Sequence, residues 1–390
     1  MASPYHPPGY TPRPLHAALI ATHLLGRIHP LLLAPVWIGL AAAAGRAWEN
    51  YRLAAAGTFL VFLLADGVLL ALLPLCKRSF GPVTPPLVGL ALVRLLLTIS
   101  VGLIWPTAAG MLSSIALQGV VLIVTWYATW IEPFRIGVTH AQLRSPKLVG
   151  HPPLHLLHIT DLHVEYITPR EERLLDLAET LSPDVIVLTG DYLNLSTVHD
   201  PRSQAEARHL LASLCQTTKG PVYAITGSPP VDLPEVVPAI FEGLPITWLS
   251  DEAIETQING QQLTIIGVRC TRERTLDAPR LQRLLAAVPA DRFTLLLYHS
   301  PDLMPEAAEA GVDLYLCGHT HGGQLRLPLL GALITSSDFG KRYEMGRYVE
   351  DQTVLYVSRG LGMEGMGAPR ARLLSPPEIV QWTLSSQASP

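Results

Sequence analysis

The chain has 390 residues, a formal net charge of −4 and only 15% charged residues, with a mean hydropathy of +0.30. That length points to two domains, and the acidic balance argues against a nucleic-acid partner, which selects basic surfaces. Four cysteines, Cys76, Cys215, Cys270 and Cys317, lie far apart with no Cys-x-x-Cys spacing, so neither a disulfide framework nor a zinc–thiolate site is indicated. They read as core residues in a reduced compartment.

In chain order, residues 1–14 (MASPYHPPGYTPRP) are Pro-rich and read as a disordered tail. They do not resemble a secretory signal, which needs a Lys/Arg-bearing start and a single short apolar core. Residues 15–28 carry two histidines and Arg27 and read as an interfacial lead-in or an extension of the first helix. Four apolar stretches follow, near 29–48, 53–76, 86–106 and 108–131. Each approaches the ~20 residues a helix needs to cross the hydrocarbon core. Buried soluble helices are the bland alternative, and four such runs between residues 15 and 131 make it the poorer one. The sequence therefore predicts a transmembrane domain of about four helices at 15–133 and an α/β domain at 134–385.

Arg94 falls inside the third stretch and Asp66 inside the second. An intramembrane arginine is a functional candidate by default; the competing reading is a structural pair with Asp66 or a snorkelling side chain. A transporter reading would rest on these two residues alone. With four crossings, the N-terminal tail, the 77–85 loop and the C-terminal domain share one side, which holds Arg13, Lys77, Arg78, Arg135, Arg144 and Lys147. The other side holds Arg46 and Arg52. The positive-inside rule then assigns the C-terminal domain to the cytoplasm of a multi-pass cell-membrane protein.

Residues 134–148 alternate like a strand. Beyond them the pattern repeats strand, loop, helix: LHLLHIT (154–160), an amphipathic helix at 169–181 with Pro169 in its first turn, and DVIVLTGD (184–191). A helix around 203–215 precedes PVYAITG (221–227), and LTIIGV (263–268), FTLLLYHS (293–300) and VDLYLCGHTH (312–321) complete the series. A final strand is expected near 378–383. Polar residues collect at the C-terminal ends of these strands, where open α/β sheets place their ligand sites. They are Asp161, His163, Asp191, His299, His319 and His321: carboxylates and imidazoles with no thiolate, a donor set suited to Mn, Fe or Zn. One strand-end histidine is usually a hydrogen-bonded loop residue; six such residues at successive strand ends point to two divalent metal ions about 3.5–4 Å apart. His140, His155, His158, His199 and His209 lack that placement and read as structural.

DLH (161–163), GDYLN (190–194), His299 and GHTHGGQ (318–324) resemble the calcineurin-like metallophosphoesterases, and more narrowly a bacterial membrane-associated branch with the GHTHGGQ motif. The resemblance covers roughly 150–383. It implies two stacked β-sheets flanked by helices, with Asp161, His163 and His321 on the first metal, Asp191 bridging, and His299 and His319 on the second. It breaks after the third strand, where the family carries Gly-Asn-His followed by Asp or Glu and this chain has Gly227-Ser228-Pro229-Pro230. Ser228 stands for the Asn ligand as a weak neutral donor, and Pro229 stands for the catalytic His, so no catalytic acid can be named. Glu165 stands where many relatives have Gly. Asp232 is a candidate substitute ligand, or the cap of the next helix. Asn194 and Arg359, the latter flanked by Gly360 and Gly362, are the substrate-binding candidates; Lys341 and Arg342 are weaker ones.

These readings give a membrane-anchored metal-dependent phosphohydrolase acting on a phosphodiester or pyrophosphate bond of a phosphorylated substrate, lipid-linked or nucleotide-linked. Loss of the acid costs least when the leaving group is already a stable anion, as in a pyrophosphate or aryl ester. The alternative is a phosphoesterase-fold protein of impaired activity with a binding or regulatory role.

Overall fold

The computed structural model describes residues 21–149, 152–366 and 369–386; the tail expected at 1–14 and the start of the lead-in lie outside them. Contacts divide the described residues into two compact units, 21–131 with 364–366 and 369–371, and 132–149 with 152–363 and 372–386.

The first unit is helical: α1 (Ala34–Arg46), α2 (Arg52–Leu75), α3 (Thr84–Ile104) and α4 (Ala108–Trp126). Three helices are long and apolar enough to cross a membrane, Arg52–Leu75, Thr84–Ile104 and Ala108–Phe134. The expected fourth is shorter. Its α-helical part has 13 residues, which at 1.5 Å per residue spans about 20 Å against a hydrocarbon core of about 30 Å. A 3-10 turn at Pro30–Leu33 takes up its N-terminal end, and the helix stops at Arg46. The long helices leave the large apolar side chains of Leu64, Leu96 and Ile123 exposed.

Arg94 and Asp66 are both fully buried and form a two-point ion pair, Nε–Oδ2 at 2.5 Å and Nη2–Oδ1 at 2.7 Å. Arg94 Nη1 donates to the Gln118 side chain at 2.6 Å, and Gln118 Nε2 donates to Thr98 Oγ1 and to the Arg94 carbonyl. The cluster joins α2, α3 and α4 and balances its own charge.

The second unit holds strands β1 (Gly137–Arg144), β2 (Leu154–Ile159), β3 (Val185–Leu188), β4 (Val222–Ala224), β5 (Ile246–Trp248), β6 (Glu252–Ile258), β7 (Gln261–Gly267), β8 (Phe293–Leu297), β9 (Leu314–Cys317), β10 (Arg326–Leu327), β11 (Gly331–Ala332), β12 (Gly346–Glu350), β13 (Thr353–Val357) and β14 (Glu378–Ser385). Two six-stranded sheets run β1-β14-β2-β3-β4-β5 and β12-β13-β9-β8-β7-β6. Their cores are parallel: β2, β3, β4 and β5 in one, β7, β8, β9 and β13 in the other. Alternation along each strand builds the layers. Leu154 and Leu156 of β2 meet Phe293, Leu295 and Leu297 of β8 between the sheets. Leu157 and Ile159 face the other way, against Leu174 and Ala178 of helix α5 (Pro169–Leu181) and Leu210 and Leu214 of α6 (Pro201–Gln216). On the far side, Leu296 of β8 packs with Leu281, Met304 and Ala307. The result is an α/β unit of two stacked sheets between helices. Thr168 and Glu171 close a capping box on α5, with Pro169 at its first position. The edge strands β5, β6 and β12 are additions to the sequence reading. Of the cysteines, Cys270 and Cys317 are buried, while Cys215 is half-buried and Cys76 exposed, so the core expectation fails for Cys76.

Candidate metal centre

The parallel strands of both sheets deliver their C-terminal loops to one place. Asp161 and His163 follow β2, Asp191 follows β3, Ser228 follows β4, His299 follows β8, and His319 and His321 follow β9. Asp161, His163, Asp191, His319 and His321 all have left-handed backbone, with φ between +44° and +71°. Such non-glycine conformations are uncommon and collect where a fold holds side chains for a purpose. The loops are laced together, the Asp161 N–H donating to the Gly190 carbonyl and the His163 N–H to that of Asp191, both at 3.0 Å. Gly190 must be glycine: its φ is +96°, and a Cβ would come 2.3 Å from the Gly227 nitrogen.

The six ligand candidates form two buried triads, Asp161–His163–His321 and Asp191–His299–His319. In the first, His163 Nε2 lies 3.1 Å from His321 Nε2, which lies 3.6 Å from Asp161 Oδ1. In the second, His299 Nε2 lies 3.2 Å from both Asp191 Oδ2 and His319 Nδ1. The same Asp191 oxygen is 3.6 Å from His163 Nε2, so it faces both triads. The Ser228 backbone N–H holds the other oxygen, Oδ1, at 2.6 Å.

Ser228 also enters the second triad through its side chain. Its Oγ lies 3.2 Å from Asp191 Oδ2, 3.2 Å from His299 Nε2 and 3.4 Å from His319 Nδ1. These separations are short enough for one cation to reach the four atoms at the ~2.0 Å of a Zn–N or Zn–O bond. The donor set fits a cation. The outer nitrogens agree: His299 Nδ1 sits 2.8 Å from the Thr189 carbonyl and His319 Nε2 3.4 Å from that of Ser336. With its outer nitrogen protonated, either ring would turn an inner lone pair to the cluster.

Electrostatics in the cluster is divided. Burial pushes Asp161 up to about 7, against the pull of His299 and with the repulsion of Asp191. Burial also acts to raise Asp191, but the charge and hydrogen bond of His299, with His163 and His319, hold it well below the usual carboxylate range. His299 rises to about 9 despite burial because Asp191 faces it. His319 and His321 fall well below ordinary histidine, first through burial, then through the charges of Arg272 and His163 respectively. Opposed shifts among buried neighbours mark a functional site.

Other expected residues have different work. Asp232 is corrected from substitute ligand to brace: its carboxylate accepts from the N–H groups of Gly227 (2.6 Å), Asp191 (2.8 Å) and Tyr192 (3.0 Å). Asn194 donates to the Met363 carbonyl and accepts from Ser196, tying loops together in place of the expected substrate contact. Arg359 is paired with buried Glu378, Nη2–Oε2 at 2.6 Å, which draws it away from the substrate role. Lys341 reaches the Leu330 carbonyl and Arg342 reaches Glu350. Glu165 is buried, within hydrogen-bond reach of the Ser196 hydroxyl. Sequence reasoning missed Arg372, fully buried, with Nη2 3.4 Å from His321 Nδ1 and the guanidinium otherwise on the carbonyls of Arg359, Gly360, Gly362 and Ser375. No periodicity or motif marks it in the sequence.

Two stacked sheets with carboxylate and imidazole side chains gathered at their strand ends make an α/β unit with a candidate metal centre. Residues 154–323 match the family model of the calcineurin-like phosphoesterases. Those residues form a calcineurin-like metallophosphoesterase domain. The chain is similar to the uncharacterized metallophosphoesterase YkuE of Bacillus subtilis, 28% identical over 67% of this chain and 89% of that one. It also resembles the UDP-2,3-diacylglucosamine pyrophosphatase LpxG of Chlamydia trachomatis, 26% identical over 66% of this chain and 92% of the relative. The phosphodiesterase YaeI of Escherichia coli is 28% identical over 54% of this chain and 76% of its own length.

Proposed function

We propose that this chain is a membrane-anchored, divalent-metal-dependent phosphohydrolase that cleaves pyrophosphate or activated phosphodiester bonds. The observation that carries this reading is the pair of buried triads facing one oxygen of Asp191. Asp161, His163 and His321 would hold one cation, His299, His319 and the Ser228 hydroxyl the other, and Asp191 both. Mn, Fe and Zn all suit the donors. Such a pair, when bound, supplies polarised phosphoryl oxygens and an ionised water as nucleophile.

The residues themselves set the substrate class. Pro229 has no proton to give where the family has a catalytic histidine, so the leaving group must depart as a stable anion. Phosphate and phenolate satisfy that and an alkoxide does not. The name of LpxG, a pyrophosphatase of a nucleotide-linked diacylated sugar, supports a lipid-linked or nucleotide-linked substrate, and tethering to the bilayer would concentrate the enzyme near such molecules.

The cytoplasmic assignment does not depend on α1. The 76–83 loop and the chain after α4 are separated by two long helices, so they share a side, and they carry Lys77, Arg78, Arg135, Arg144 and Lys147.

The test is metal content and hydrolysis of bis(p-nitrophenyl) phosphate by the full chain and by Asp191→Asn. Two metals per chain, with turnover lost in the variant, supports the hydrolase. Metal binding without turnover above the variant replaces it with the binding or regulatory role that the Pro229 substitution would explain.

A further inference from the structure

The loss of the family histidine leaves the second metal site without its usual neighbouring donor to the substrate. Three parallel strands end side by side there: β9 leads to His319, β8 to His299, and β7, next in the sheet, to the loop holding Arg272. Arg272 Nη2 donates to the Ser336 carbonyl at 2.9 Å, and the same carbonyl lies 3.4 Å from His319 Nε2. One carbonyl oxygen thus separates the guanidinium from a ligand candidate. The loop is held in place: the Asp277 carboxylate accepts from the Thr271 N–H (2.8 Å), the Thr271 hydroxyl (2.7 Å) and the Tyr298 hydroxyl (2.7 Å). Arg272 itself has left-handed backbone, φ +63°, and is half-buried.

We infer that Arg272 is a substrate contact for the leaving phosphate of a pyrophosphate-class substrate, supplying beside the second metal site the positive charge that Pro229 cannot. This rests on the phosphohydrolase reading above. In the reaction, the water oxygen forms a bond to the attacked phosphorus and the bridging P–O bond breaks. Its electron pair stays on the leaving phosphate, and the water proton passes to solvent. No proton is needed on the leaving oxygen. The planar fork of an arginine matches a phosphate's two oxygens, whereas a phenolate offers one.

The experiment uses the full chain in detergent, loaded with Zn, as wild type, Arg272→Ala and Arg272→Lys, with metal content measured for each. Methylenediphosphonate and inorganic phosphate are titrated, and kcat/KM is compared on a nucleoside diphosphate sugar and on bis(p-nitrophenyl) phosphate. Arg272→Ala should weaken methylenediphosphonate about tenfold or more and inorganic phosphate much less. Preference for the diphosphate ester should fall by about 10–100-fold, with Arg272→Lys between. Equal weakening of both anions, or of neither, overturns the proposal, as does an unchanged substrate preference. Lysine keeps the charge, so its recovery separates contact from misfolding. A wild type that cleaves neither ester, while the diphosphonate difference persists, sinks the hydrolase reading and leaves Arg272 standing as an anion contact.

Discussion

The molecule buries two polar clusters, one in each unit, and they are built on opposite principles. Around Arg94 every charge meets its complement: a guanidinium, a carboxylate, an amide and a hydroxyl exchange donors and acceptors at 2.5–3.0 Å. Around Asp191 the inner nitrogens of four imidazoles and the oxygens of two carboxylates converge at 3.1–3.6 Å, all of them atoms able to bind a cation. The first cluster is a closed set of donors and acceptors, whereas the second gathers potential metal-binding atoms around one carboxylate. The comparison teaches that burial of charge does not identify a functional site; unbalanced donor chemistry does.

The largest expected effect tests that contrast directly. Asp191→Asn removes the oxygen facing both triads and should lower phosphohydrolase kcat/KM by about 10³-fold, with metal content falling from two toward one or none. Because His299 holds Asp191 well below the usual carboxylate range, the metal-free variant should also unfold somewhat earlier than metal-free wild type. Unchanged metal content and turnover in the variant would mean that Asp191 is structural in the way Asp66 is.

Asp66→Leu is the converse. It strands the Arg94 guanidinium in an apolar bundle and should cost about 3–5 kcal/mol, read as thermal unfolding of the detergent-solubilised chain. The Arg94→Met/Asp66→Leu double variant should recover most of that loss, since a well-packed apolar replacement avoids the stranded charge. If Asp66→Leu is neutral, the pair is not holding the bundle together.

These differences bear on what could be read from the sequence. The ligand set was legible because strands such as VIVL and LYLC are uniformly apolar and end abruptly at Asp or His, a local pattern. The pairing of two sheets comes only with the family resemblance, and β13, though wholly buried, is not among the strands expected from the sequence. Asp232 was not legible, because its three amide donors come from loops 5 and about 40 residues away. Arg272 and Arg372 lie in loops with no period, and only the packing of strands against one another brings them to the site. The length of α1 was misjudged because hydropathy counts apolar residues in the 3-10 turn at Pro30–Leu33 as though they continued the helix. Edge strands β6 and β12 are half-exposed, so their alternation is diluted by polar residues.

A third kind of buried polar group sharpens the comparison. His158 is fully buried on β2, with Nε2 2.8 Å from Thr189 Oγ1, and belongs to neither triad. Burial lowers it to about 3 from 6.5. The folded state therefore keeps it neutral while the unfolded chain takes up a proton below pH 6.5. The stability it contributes is full above that pH and is lost as pH falls toward 3, about 2 kcal/mol by pH 5. His158→Gln should flatten this part of the pH–stability curve in denaturant titrations. An unchanged slope would mean that other groups govern acid unfolding.

The smallest expected effect concerns Ser228, where the chain departs most from its family. If the hydroxyl is a fourth donor, Ser228→Ala should weaken the second metal by about tenfold and leave the first nearly untouched. Ser228→Asn, which restores the family residue, should tighten it; competition with a chromophoric chelator resolves the two sites. The alternative is that Ser228 acts only through its backbone N–H, which holds Asp191 Oδ1 at 2.6 Å and survives both substitutions. Equal metal affinities in all three proteins would support that alternative and leave the second site with three protein donors. The outcome therefore decides whether the Ser-Pro-Pro segment lost a ligand or exchanged an amide for a hydroxyl.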